Sequence, residues 1–208
     1  MWNTFIELSL LSMGVIPVLV VIFTVAFAVV IERLWFFQRV LSQGAAIEHE
    51  LKSTGYRDLD GLRSVAARFG GAMQSALVGA GLESKATDAE SAERHIDEAI
   101  LEAVPVMDRN LWMLDTAVTL GPLLGLLGTI FGMVKTFNVL GSEGMGAGAG
   151  AVTGGIGEAL VATGVGLFIA IVGLIFLNYF NKRVRVGVQQ MELIKLTVVN
   201  RLHGGGAR

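Results

Sequence analysis

Three side chains carry the chemistry open to this sequence: Glu158, Thr129 and Thr163. Glu158 is the only charged residue among the 38 from Gly144 to Asn181. Placing an ionised carboxylate near a bilayer centre costs ~2.5–3.5 kcal/mol on insertion scales, so such residues mark proton or ion paths by default. The same carboxylate also suits the outer first turn of a helix, where the dipole favours negative charge. On the residues alone both readings stand. Thr129 and Thr163 each sit in a run of small residues. A membrane threonine ordinarily bonds its own backbone one turn earlier, and the alternative is that it lines a polar path.

No other constellation competes. His49, His95 and His203 are scattered without metal-ligand spacing, no Ser/His/Asp set falls together, and there is no cysteine. Neither a metal, a cofactor nor an enzymatic activity is expected. The glycine-rich run Gly141–Gly157 lacks both G-x-G-x-x-G after a strand and G-x4-G-K-[ST], so it reads as a flexible outer loop, not a phosphate cradle.

The elements that must position these residues follow from composition. Of 208 residues, 53% are hydrophobic and 16% charged, where an ordinary soluble domain carries about 25% charge. Three stretches hold no charge at all: Leu8–Ile31, Thr116–Val134 and Ala159–Asn181, of 24, 19 and 23 residues. As helices even the shortest spans ~28 Å, close to the ~30 Å hydrocarbon core of a bilayer. The fold class expected is an all-α polytopic membrane protein with three transmembrane helices. The second and third continue as long helices into the cytoplasm, and a helical cytoplasmic segment lies between the first two. The net charge of −2 leaves no basic face for nucleic acid.

Positive charge sets the orientation. Nine of the 16 Lys and Arg residues fall in 32–113, six in 182–208, one at Lys135 and none before the first span. Positive residues stay inside. The expected order is an outer N-terminus (1–10), a first span (11–31), a cytoplasmic helical segment (32–113), a second span (114–138), a glycine-rich outer loop (139–153), a third span (154–181) and a cytoplasmic C-terminal helix and tail (182–208); the resemblance given below makes the outer side periplasmic. Ala26-Phe27-Ala28 has the small-x-small look of a cleavage site. However, the apolar run is long, no positive region precedes it and Glu32-Arg33 follow directly, so an uncleaved anchor is expected.

Within these segments, Pro17 is expected to break the first span near its outer end. Ser53-Thr54-Gly55, Gly70-Gly71 and Ser84 punctuate the cytoplasmic part, and Asp88 reads as an N-cap. Ile96, Ile100 and Val104 line one face of the helix that follows. That helix is expected to kink at Pro105 and to run on into the second span without a turn. In the tail, Met191, Ile194, Val198 and Leu202 keep helical spacing.

The spans carry packing seams. The second carries small residues at Gly121, Gly125, Gly128, Thr129, Gly132 and Thr136, with the small-xxx-small pairs Gly121–Gly125 and Gly128–Gly132; Ala159, Thr163, Gly166, Ala170 and Gly173 step by four and three in the third. Lipid supplies no hydrophobic force between helices, so close backbone approach across small residues holds them together.

Two blocks carry a specific resemblance. Leu120-Gly121-Pro122-Leu123-Leu124-Gly125-Leu126-Leu127-Gly128-Thr129-Ile130-Phe131-Gly132-Met133 is similar to the A-P-x-x-G-L-x-G-T-x-x-G-M motif of the MotA/TolQ/ExbB proton-channel family. Gly155-Ile156-Gly157-Glu158-Ala159-Leu160-Val161-Ala162-Thr163-Gly164-Val165-Gly166-Leu167 resembles its G-I-x-E-A-L-x-A-T-x-x-G-L motif. Gly157 stands in place of the usual alanine, Gly155 where proline is common, and Val172-Gly173 where a later proline falls. The three-span layout resembles the ExbB/TolQ branch.

The resemblance implies a homopentamer in the bacterial inner membrane, surrounded by membrane lipids and enclosing two copies of an ExbD/TolR-like single-span protein that carries the proton-binding aspartate. Glu158, Thr129 and Thr163 would line the proton pathway. Proton flow would then drive a TonB-like protein, energising outer-membrane uptake of iron-siderophore, haem or vitamin B12. A TolQ-like role in outer-membrane maintenance, through a TolA-like protein, is the alternative. A stand-alone small-solute transporter and a passive scaffold are the readings without the resemblance.

Overall fold

The computed structural model describes residues 14–55, 58–83, 88–143 and 148–203, and among them every regular element is a helix. In chain order these are α1 (Val15–Ser53), α2 (Leu59–Arg68), α3 (Met73–Glu83), α4 (Ala89–Asp108), α5 (Leu111–Glu143) and α6 (Gly148–His203). Three helical runs are long and apolar enough to cross a membrane. A helical segment lies between the first two.

The chain divides into two units. The first comprises the described residues of Met1–Ile31 and Asn110–Asn178, and the second those of Glu32–Arg109 and Tyr179–Arg208. In the first, α1 contributes Leu19 and Ala26, α5 contributes Leu114 and Ala117, and α6 contributes Ala159, Ala162 and Ile169 to the buried set. Larger apolar side chains such as Phe27, Leu123, Ile130, Phe168 and Ile175 point outward. This inversion suits a solvent of lipid.

The second unit has a conventional apolar core. Phe37, Ile47 and Leu51 of α1, Leu62 of α2, Leu77 of α3, Ile96 and Met107 of α4, and Met191, Ile194 and Val198 of α6 are fully buried or nearly so. The Phe37 and Phe180 rings stack at 5.8 Å. The expected tail face of Met191, Ile194, Val198 and Leu202 is buried throughout. On α4 the inward face runs Ala92, Ile96, Ile100, Ala103 and Met107, and Val104 is only half-buried.

Local signals explain the boundaries. Asp58 caps α2 by accepting from Gly61 N at 2.8 Å, and Asp88 caps α4 by accepting from Ser91 N at 2.8 Å. α1 ends at Ser53 and α2 just before Gly70-Gly71, where punctuation was expected. Ser84, the N-terminal 1–10 and residues 11–13 of the first span, and the tip after His203 fall outside the described residues.

Three expectations are corrected. Pro17 does not break the first span: α1 begins at Val15, so Pro17 occupies its first turn, where a missing N–H costs no bond. The helix of Asp88 does not continue unbroken into the second span. Pro105 is accommodated inside α4, and the chain breaks after it at Arg109–Asn110, with Asn110 at φ 65°. Asparagine tolerates the left-handed region better than most non-glycine residues, so Asn110 can hold the φ that the break requires. The loop expected over 139–153 is corrected at both ends, where the backbone is helical to Glu143 and again from Gly148. Backbone groups at membrane depth must bond internally, which favours extending both helices through glycine. Residues 144–147 lie outside the described set.

Candidate functional site

The first unit is organised around the contact of α5 with α6. Building a Cβ on Gly121 would bring it to 2.7 Å from Gly166 O, and on Gly125 to 2.9 Å from Thr163 Cα. On Gly128 and Gly132 it would come within 2.7 Å of the Ala162 and Ala159 methyl carbons. From the other side, a Cβ on Gly166 would collide with Gly121 O, and one on Gly173 would reach Val118 Cγ2 at 2.8 Å. Ala170 is half-buried alongside. The two backbones therefore come into contact at Gly121, Gly125, Gly132 and Gly166, and a side chain at any of these glycines would hold the helices apart.

Among the described residues, the polar side chains along this seam are threonines whose hydroxyls donate to backbone carbonyls. Thr163 Oγ1 donates across the helix pair to Gly125 O at 2.9 Å. Helix geometry directs the Thr129 N–H to that same carbonyl, so the two threonines converge on Gly125. The Thr129 hydroxyl turns back on its own helix and donates to Leu126 O at 2.6 Å. The Glu158 backbone is part of α6, one residue before the seam residue Ala159; its side chain lies outside the described residues.

Two further positions belong to the seam. Ala162 packs beneath Gly128, and Thr136 is buried, donates to Gly132 O at 2.8 Å and faces Gly155. Thr136 continues the Gly128–Gly132 spacing by one turn, a signal that identifies it from sequence as readily as Thr129.

In the second unit, Arg33 is 2% exposed. Its guanidinium donates to the carbonyls of Val106 at 3.2 Å and Met107 at 3.3 Å, pairs with Glu32, and lies over the Phe36 ring at 4.4 Å. Those carbonyls belong to the last turn of α4, where the break at Asn110 removes the usual donors. Further along, Lys195 bonds Asp97 at 2.7 Å and Glu192 at 2.9 Å, and the hydrogen bond to Asp97, then that to Glu192, raises its pKa. The Asp88 carboxyl is held below its usual value by its hydrogen bonds with Ser91.

The fold and this seam define a multi-pass helical membrane protein whose second and third spans pack backbone against backbone. A family model described as the MotA/TolQ/ExbB proton channel family matches residues 68–193. A Synechocystis sp. protein named as an ExbB-like biopolymer transport protein (ExbB-like 1) is 32% identical over 163 residues, covering 77% of this chain and 63% of the relative. A second from the same organism, ExbB-like 3, is 45% identical over 87 residues, 41% of each chain. The biopolymer transport protein ExbB of Neisseria gonorrhoeae is 26% identical over 190 residues, 86% of each. The match thus spans 63% and 41% of the lengths of the two Synechocystis relatives. The chain belongs to the MotA/TolQ/ExbB proton channel family, on its ExbB-like branch.

Proposed function

We propose that this chain is the ring-forming subunit of an inner-membrane motor driven by proton flow, assembled as a homopentamer around an ExbD-like single-span partner. The motor passes its work to a TonB-like protein for outer-membrane uptake. The relatives named above carry the ExbB name, which supports this reading over the TolQ-like one. In this arrangement the N-terminus is periplasmic and the C-terminus cytoplasmic.

The observation that carries the reading is the Thr163–Gly125 bond inside the glycine seam. It joins the two helices that hold the family motifs and brings the backbone N–H of Thr129 and the hydroxyl of Thr163 to one carbonyl. Threonine has no useful proton affinity, and a single glutamate cannot relay a proton across ~30 Å of hydrocarbon. The relay therefore requires a carboxylate from another chain beside Glu158. Each charge that crosses delivers ~2.3 kcal/mol per 100 mV.

The test is the native mass of the chain in mild detergent, alone and co-expressed with an ExbD-like single-span protein from the same organism, followed by uptake assays of Glu158→Gln and Thr163→Val. A ring of five that captures the partner, with uptake lost in both variants while assembly persists, is the expected result. A monomer that captures nothing, or wild-type uptake in both variants, overturns the proposal.

A further inference from the structure

Three helices of the second unit meet at a point where two amides, that of the buried Gln74 and that of the half-buried Gln190, face a glycine. Gly44 lies well inside α1. A Cβ there would run into the Gln190 amide oxygen, stand 2.5 Å from Gln190 Cδ and 2.7 Å from Gln74 Nε2. The amides of α3 and α6 therefore occupy room that only glycine leaves on α1. Gln74 is 0% exposed, and its Nε2 donates to Val40 O at 3.0 Å. Val40 O is also the carbonyl that helix geometry pairs with the Gly44 N–H.

Both amide oxygens, Gln74 Oε1 and Gln190 Oε1, are buried without a hydrogen-bond partner among the described residues. Turning the Gln74 amide over does not help, because its oxygen would then face the Val40 oxygen. Buried acceptors left bare are rare, and each calls for a donor. We infer that Gln74 and Gln190 hold one resident water beside Gly44, bridging the two amide oxygens and tying α3 and α6 together against α1. The stoichiometry fits: a water has two protons, and two acceptors require one each. No carboxylate belongs to this set, so a desolvated cation would find no charge to offset its loss of hydration. A neutral donor is the ligand these groups suit.

The first test is an experimental structure of the full chain at a resolution that shows ordered waters. One water at ~2.7–3.2 Å from both oxygens is the expected result. A direct Gln74–Gln190 amide bond, or a separate donor on each oxygen, overturns the inference. The second test compares melting midpoints of Gln74→Leu, Gln190→Leu and the double variant. Each single change breaks the same bridge, so the double variant should fall no further than the larger single one. Midpoint losses that simply add would overturn it as well. The wild-type structure decides the matter if a variant does not fold.

Discussion

Alanine at Gly125 is the sharpest perturbation of the seam. Its Cβ would lie 2.9 Å from Thr163 Cα and 3.1 Å from Ala162 O. Carbon pairs rest at ~3.5–4.0 Å, so the helices must separate by ~0.6 Å or more. Both obstructing atoms are backbone and have no rotamer to escape into. Overpacking of this kind costs ~1–3 kcal/mol. Separation also stretches the Thr163–Gly125 bond, and interhelical bonds in membranes contribute ~0.6 kcal/mol on average. Alanine's better helix propensity returns up to ~1 kcal/mol. The net loss expected is ~1–3 kcal/mol. Gly164 is the control: it lies on the same helix as Thr163, but nothing stands within 4 Å of a Cβ built there. Gly164→Ala should leave the fold of the single chain unchanged or slightly firmer. Unfolding in mixed micelles by increasing SDS, followed by circular dichroism, measures both. Equal midpoints for Gly125→Ala and Gly164→Ala would refute the close-packed seam.

Removing Arg33 strands the carbonyls of Val106 and Met107. At ~1–3 kcal/mol for each orphaned acceptor, Arg33→Ala should lose ~2–6 kcal/mol, read as a fall in thermal midpoint, with Arg33→Lys recovering part. An unchanged midpoint would refute the capping role. Asp88 has a lowered pKa in the folded chain, so its stabilising effect is present above the unfolded carboxylate value and lost as pH falls through the folded one. Helicity measured on acidification should show that loss in wild type and not in Asp88→Asn, which keeps a capping oxygen; identical acid profiles would refute it. Lys195 runs the other way. Its pKa is raised above the ordinary 10.5, so its effect is full below that value and lost as pH rises through the higher folded one. Lys195→Met should flatten the alkaline limb of the melting midpoint, and an unaltered limb would count against the ion pair.

What was legible in the sequence depended on how far each signal reaches. The seam glycines announce themselves because small residues at spacing three and four in an uncharged run have few uses besides close helix contact. The Asp88 cap and the Ile96–Ile100 face are local signals and emerge as local structure. The break at Asn110 was not legible. Pro105 is the stronger breaker on propensity, yet α4 runs past it while the weaker signal, an asparagine, ends the helix. The reason lies far back in the chain, in α1. Arg33, 73 and 74 residues before Val106 and Met107, answers the two carbonyls that a break at Asn110 exposes. A break at Pro105 would expose a different set. Likewise, no spacing rule pairs Gly44 with Gln74 and Gln190, because that contact joins three helices.

The threonine bonds constrain what a proton path through this chain can be. A hydroxyl has one proton to donate and two lone pairs to accept with. Thr163 commits its proton to Gly125 O, Thr129 to Leu126 O and Thr136 to Gly132 O. On the proton-channel reading, all three therefore meet an incoming group as acceptors. They can receive a hydrogen bond from a protonated carboxylic acid or a hydrated proton, but they have no proton to pass on unless the bond each one donates breaks first. A row of acceptors orients and stabilises a protonated carrier without competing for its proton. The acid–base step then falls to carboxylates, and within the third span this chain contains one, at Glu158.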